Sequence, residues 1–362
     1  MSLPAVEMMR RLAAAGLPGA TALAGVDVGS SSFTRELIEA AESERLLGPL
    51  QEAVLSGKIE LSPEDVELLV ERQSAAMAWC LMIEVRLLEV RALFDRAGGV
   101  RHLVLKGPAV AHLDESDPAM RSFADLDLLV DGTDIDLAVE VLRRSGAERL
   151  WPQRRPGFDR RFAKSVTMTC RDGIEVDLHR TLCDGVHGAR IPVAELFEHP
   201  DTFALCGEQI PTLSRPHRMM HALYHAVLGS PTPRLSSLRD IGRYLASGDL
   251  GPDVIAPVAV SWRGVEVVRA AVSETLDTLR FEAPTWKRWL RHQEINPRES
   301  ARVRRQRSEG SSFGVGKLDM AREFHGLRRQ AAYLIALAWP TSEHLEARGM
   351  GRRDVFRLGH RR

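Results

Sequence analysis

Asp125 and Asp127 stand one residue apart in the run Asp125-Leu126-Asp127-Leu128-Leu129-Val130. The apolar run reads as a strand, and residues i and i+2 of a strand point to the same face. Two carboxylates on one face repel each other unless a cation neutralises them. Mg²⁺ is the common neutraliser, because it takes hard oxygen ligands: one or two carboxylates plus phosphate oxygens. A third aspartate, Asp177, follows in Glu175-Val176-Asp177-Leu178-His179. Upstream, Leu103-Val104-Leu105 is followed by Lys106-Gly107-Pro108, a glycine turn after an apolar run. Lys106 stands out, because lysines are rare here beside arginines.

These residues need a sheet to hold them. His102–Leu105 reads as a short buried strand, Pro108 as the first turn of a helix over 108–113, and Arg121–Val130 as holding a second strand. Ile135–Arg144 is an amphipathic helix closed by Gly146. Val166–Cys170 and Ile174–His179 flank Asp172-Gly173, which predicts a β-hairpin with a two-residue turn. The fold class expected is α+β: a small mixed sheet with helices on one side, flanked by N-terminal and C-terminal helical regions. The divisions expected are a helical region over 1–99, a core over 100–190, a helical region over 191–345 and a basic, disordered tail over 346–362. Ser62-Pro63-Glu64-Asp65 is a strong helix start, and that helix is expected to run to about Ala97 before Gly98-Gly99. Further helices are expected over 37–55, 214–227, 236–246 and 320–339. Arg298–Gly316 reads as a mobile loop.

Composition sets outer bounds. The 362 residues carry 49 Lys+Arg against 49 Asp+Glu, and this zero net charge argues against bulk electrostatic DNA binding. An apolar content of 44% suffices for a real core. The cysteines Cys80, Cys170, Cys183 and Cys206 show no CxxC spacing, which argues against zinc and fits a reducing compartment. No signal-peptide pattern and no membrane-length apolar run are seen, so a cytoplasmic location is expected. The Walker-type glycine loop is absent.

The motifs together resemble the bacterial "uncharacterised nucleotidyltransferase" family of the DNA polymerase β-like superfamily. The resemblance rests on Leu105-Lys106-Gly107, Arg121, the Asp125–Val130 run and Val176-Asp177-Leu178-His179. A histidine-bearing helix before Leu235–Leu245, and Trp339-Pro340 before Glu343–Arg348, extend it to about residues 30–345. It implies transfer of NMP from an NTP, whose base is open, to a hydroxyl acceptor by two Mg²⁺ ions. Asp125 and Asp127 would bridge the metals and Asp177 would complete the site. Lys106, Gly107 and Arg121 would hold the triphosphate, and His179 would contact nucleotide or acceptor. The chain departs from the superfamily in having Pro108 where a phosphate-binding serine is common. It departs from the family in having Arg180 where an aromatic residue usually follows the histidine.

Other groups have plainer readings. Glu175 shares a strand face with Asp177 and reads as a solvated neighbour. His217, His221 and His225 fall on one helix face, but Ala222 stands where a metalloprotease glutamate would be, so packing or substrate contact is expected rather than metal. Arg239 and Asp240 suit an ion pair or a functional role. The cluster Arg302–Arg307 reads as a solvated loop. Two alternatives remain: a same-fold tailoring enzyme acting on a peptide, protein or tRNA, and a non-catalytic nucleotide-binding regulatory protein. A small-molecule acceptor is equally open, and fold alone does not choose among them.

Overall fold

Helix formers and capping residues dominate the first hundred positions, and helices result. The computed structural model describes residues 3–23, 31–309 and 315–352. It opens with α1 (Leu3–Ala14), α2 (Ser31–Ser43), α3 (Leu47–Leu55) and α4 (Pro63–Arg96). Ser62 caps α4 by accepting from the Asp65 N–H, with proline at the first position, as its sequence demands. The single helix expected over 37–55 is two. The break falls where Arg45 takes a left-handed φ of 58°.

Next come β1 (His102–Val104), α5 (Pro108–Leu113), β2 (Leu126–Val130), α6 (Ile135–Arg144), β3 (Glu148–Arg149), α7 (Phe158–Phe162), β4 (Ser165–Thr169), β5 (Glu175–His179) and α8 (Gly185–Arg190). A hairpin of β6 (Asp201–Leu205) and β7 (Glu208–Thr212) follows. The rest is helical: α9 (Arg215–Leu228), α10 (Leu235–Ala246), α11 (Pro252–Ser261), α12 (Val265–Leu279), α13 (Pro284–His292), α14 (Pro297–Glu309), α15 (Val315–Glu323), α16 (Leu327–Ala338) and α17 (Ser342–Ala347). The fold is therefore mixed helix and sheet with helical regions at both ends, as expected.

The seven strands run in the order β3-β4-β5-β2-β1-β7-β6. The β4–β5 hairpin forms in the expected place, though its loop has three residues, Arg171 to Gly173, between the paired Cys170 and Ile174. The β6–β7 hairpin was not foreseen. It adds to the β1 edge through Val104 and Thr212, so the sheet crosses the boundary expected at residue 190.

Alternation along β2 and β5 sorts side chains between two cores. Leu126, Leu128, Val130, Val176 and Leu178 pack in one cluster with Ile83, Leu87 and Phe94 of α4 and Leu142 of α6. Leu103, Leu105 and Leu129 point the other way, into a cluster with Met219, Met220 and Leu223 of α9. Both faces of the sheet are thus covered, which corrects the expectation of helices on one side. The second cluster also holds Leu12 of α1, Leu50 of α3, Ile241 of α10 and Val272 of α12. The N-terminal and C-terminal helices therefore share one core.

Two further expectations are corrected. Residues 297–309 form α14 rather than a loop, with Arg302 paired to Glu299 and Arg307 to Glu274. The last long helix is two, α15 and α16, because Gly326 takes a φ of 88° between them. Residues 310–314 of the expected loop and 353–362 of the tail lie outside the described residues.

Candidate active site

Asp127 is the centre of the site. It is the second residue of β2, whose five residues are all buried, and its own exposure is 3%. A carboxylate so placed is costly unless paired. Its Oδ1 lies 2.7 Å from His179 Nε2, and its Oδ2 lies 3.1 Å from Lys106 Nζ. Burial acts to raise the Asp127 pKa. The Lys106 ammonium and the His179 contact outweigh that and hold the carboxyl well below the usual range.

Parallel pairing sets Asp177 of β5 directly beside Asp127. Two residues on, His179 returns to the same face, with Nε2 4.0 Å from Asp177 Oδ2. Thr167 pairs with Asp177 across β4–β5, and its hydroxyl donates to Asp177 Oδ1 at 2.5 Å. Asp127, Asp177 and His179 each bring one ligand atom within 4.8 Å of the others. Two hard carboxylate oxygens and an imidazole suit a divalent cation. Asp127 Oδ2 is buried against the Lys106 ammonium, a positive charge whose place a divalent cation could take.

Asp125 is placed differently from Asp127. It precedes β2 instead of lying in it, because β1 has already turned away at Lys106-Gly107 and no partner continues the ladder. Its carboxylate is 30% exposed and meets Lys106 Nζ at 3.8 Å. Lys106 therefore bridges the two aspartates. Gly107 has φ 58° and ψ −113°, and a Cβ there would lie 3.3 Å from the Phe123 ring. The turn thus needs glycine on both counts.

Arg121 is buried and committed elsewhere. Its Nε lies 3.1 Å from both Asp240 oxygens and its Nη2 lies 2.9 Å from Oδ2. This pair ties the lead-in of β2 to α10. Asp240, noted from sequence as an ion-pair candidate, has that role. Glu175 is exposed, as expected for a solvated neighbour.

The histidines of α9 form no metal group among the described residues. His217 stacks on Trp262 with centroids 5.9 Å apart. His221 is buried, and its pKa is pushed down to about 3 by burial first and then by Lys106 and His179. His221 and His225 line a cavity of about 20 Å³ shared with Lys106 and Arg121, room for about one water.

Sequence reading missed two contributors. Thr167 was not legible by counting: the two-residue turn expected at Asp172-Gly173 would set Met168 opposite Asp177, and the three-residue loop brings Thr167 there instead. Arg45 gave no signal. It sits between α2 and α3, and burial, then Arg234, lower its pKa while Asp125 and Asp127 partly offset them. It forms no ion pair among the described residues.

A family described as "Uncharacterised nucleotidyltransferase" matches residues 31–262. The match takes in β1 to β7 and the histidine-bearing α9, and it stops at Trp262, short of the Trp339-Pro340 region. No curated protein and no solved structure matches the chain. With the family covering most of the chain and the Asp127–Asp177–His179 group within the matched residues, the protein belongs to the uncharacterised nucleotidyltransferase family.

Proposed function

We propose that the protein is a Mg²⁺-dependent nucleotidyltransferase that moves NMP from an NTP to a hydroxyl compound. The observation that carries this reading is the register of Asp127 with Asp177 on one sheet face, with Asp127 held ionised in a buried setting. Asp127 and Asp177 would hold the metal, Asp125 would join them from the strand lead-in, and His179 would orient Asp127 from beside the group. Mg²⁺ supplies positive charge against the α-phosphate and the leaving pyrophosphate.

In the reaction the acceptor oxygen bonds to the α-phosphorus, the bond to the bridging oxygen breaks, and pyrophosphate leaves. Asp177, more open than Asp127 and oriented by Thr167, takes the hydroxyl proton. Lys106 neutralises Asp125 and Asp127, and with a cation on those carboxylates its ammonium would be available to the triphosphate. Arg45 is the second phosphate partner. Arg121 acts at one remove, by fixing the β2 lead-in through Asp240.

The test is pyrophosphate release from each NTP with a panel of hydroxyl compounds. Asp177→Asn should lower turnover at least 100-fold, in line with loss of a general base. Arg45→Ala should raise KM for the NTP roughly tenfold, as expected for one lost charged hydrogen bond. Full turnover in Asp177→Asn would refute the assignment.

A further inference from the structure

A second cavity, of about 260 Å³, opens past the end of β5 and is walled by the segment 182–187, α9, α14 and α15. That volume is near the lower end for small-molecule sites. Four cations converge on it from three elements: Lys164 before β4, Arg302 and Arg305 of α14, and Lys317 of α15. Two carboxylates, Asp184 and Asp319, also line it. They leave the lysines incompletely matched. Lys317 lies 3.6 Å from Asp184, longer than the roughly 2.7–2.9 Å of a charge-assisted hydrogen bond. Arg302 is shared between Glu299 and a more distant Asp319. Lys164 forms no ion pair among the described residues. The two histidines on the wall, His187 and His225, are pushed toward the neutral form by burial. Leu182, Val186 and Leu228 add an apolar side.

Position says which substrate this cavity suits. The strands β2 and β5 run parallel, and the Lys106-Gly107 turn lies beside the start of β2. The Lys164 carbonyl accepts from the Arg180 and Thr181 N–H groups, which fixes Lys164 at the finish of β5. The turn and the cavity therefore flank Asp127 and Asp177 from opposite ends. His225 lines both this cavity and the small one beside Lys106. In an in-line displacement, the attacking oxygen enters opposite the leaving group. With pyrophosphate at Lys106-Gly107, the acceptor enters from the cavity side.

Resting on the transfer reading above, we infer that this cavity is the acceptor site and that it takes a small hydroxyl compound bearing a phosphate group. Lys164 and Lys317 meet the phosphate, and the apolar wall takes the body of the molecule. Its size favours a small acceptor over a polynucleotide.

The experiment is calorimetric titration of the full-length protein with glycerol 3-phosphate, glycerol and inorganic phosphate. Glycerol 3-phosphate and phosphate should bind, and glycerol should not. Lys164→Gln should weaken phosphate-ester binding roughly tenfold, the loss of about one charged contact. Lys164→Arg should retain it, which controls for misfolding. Lys106→Gln should leave it unchanged, since that lysine lies on the donor side. The same titrations with Mg²⁺ and each NTP separate the two readings. If Lys164→Gln weakened NTP binding more than phosphate-ester binding, the cavity would be a donor site and the inference would fall. It would also fall if glycerol 3-phosphate did not bind, or bound Lys164→Gln as tightly as wild type. Loss of Mg²⁺-dependent NTP binding in Asp127→Asn, with phosphate-ester binding intact, would leave the transfer reading standing whichever way the cavity result went.

Discussion

Asp127 illustrates how one buried charge organises its neighbours. Lys106 from a turn and His179 from a parallel strand offset its desolvation, and Thr167 orients the adjacent Asp177. Most of these partners were legible in the sequence, since strand alternation alone puts Asp127 apart from Leu126 and Leu128, and Asp177 with His179. The commitment of Arg121 to Asp240 was not legible, because residues 119 positions apart meet only through tertiary packing. Nor was the offset of Asp125 from the strand, which depends on where β1 stops pairing. His221 gives a pH test. Its folded pKa of about 3 lies below its ordinary 6.5, so between those values the unfolded chain binds the proton that the folded chain resists. Its contribution to stability is present above pH 6.5 and is lost as pH falls toward 3. The slope it adds approaches about 1.4 kcal/mol per pH unit in the middle of that window. His221→Gln should flatten the fall in denaturant-measured stability between pH 6.5 and 4.5, and an unchanged slope would contradict this.

Elements were easier to read where local signals act alone. The long helix α4 was legible at both ends, from the Ser62-Pro63 cap to the Gly98-Gly99 stop. Ser62→Ala should cost about 1 kcal/mol in chemical denaturation, the ordinary value of such a cap. The β6–β7 hairpin escaped notice because Pro211 and the charged Glu208 weaken the pattern of β7, which tolerates both because its ladder to β1 is confined to Thr212. The junction between the β2 lead-in and α10 rests on the buried Arg121–Asp240 pair. Arg121→Met should destabilise by about 3–5 kcal/mol, because it strands the Asp240 charge. Adding Asp240→Leu should recover much of that loss. A double variant no more stable than the single one would show that packing, not charge, dominates this contact.

The sequence marks out an N-terminal and a C-terminal helical region, and α1, α3, α10 and α12 from the two bury their apolar faces in one cluster. Long-range sharing of this kind leaves no local mark, since each amphipathic helix reads the same whatever it packs against. A fragment spanning 100–212 loses Ile83, Leu87 and Phe94 of α4 from beneath the sheet. It should therefore show no cooperative thermal transition by circular dichroism, and a sharp transition would argue that the sheet folds independently. Among the described residues, no helix is long and apolar enough to cross a membrane. Because the full chain is expected to unfold as a unit, ligand binding anywhere in it can be read from its melting. The central claim is tested most directly by thermal unfolding with ATP, GTP, CTP or UTP, with and without Mg²⁺, for wild type and Asp127→Asn. The account predicts a Mg²⁺-dependent rise in stability with at least one nucleotide, about 2.7 kcal/mol at 100 times its dissociation constant, that is absent in the variant. No rise with any nucleotide, or an equal rise in Asp127→Asn, would contradict it.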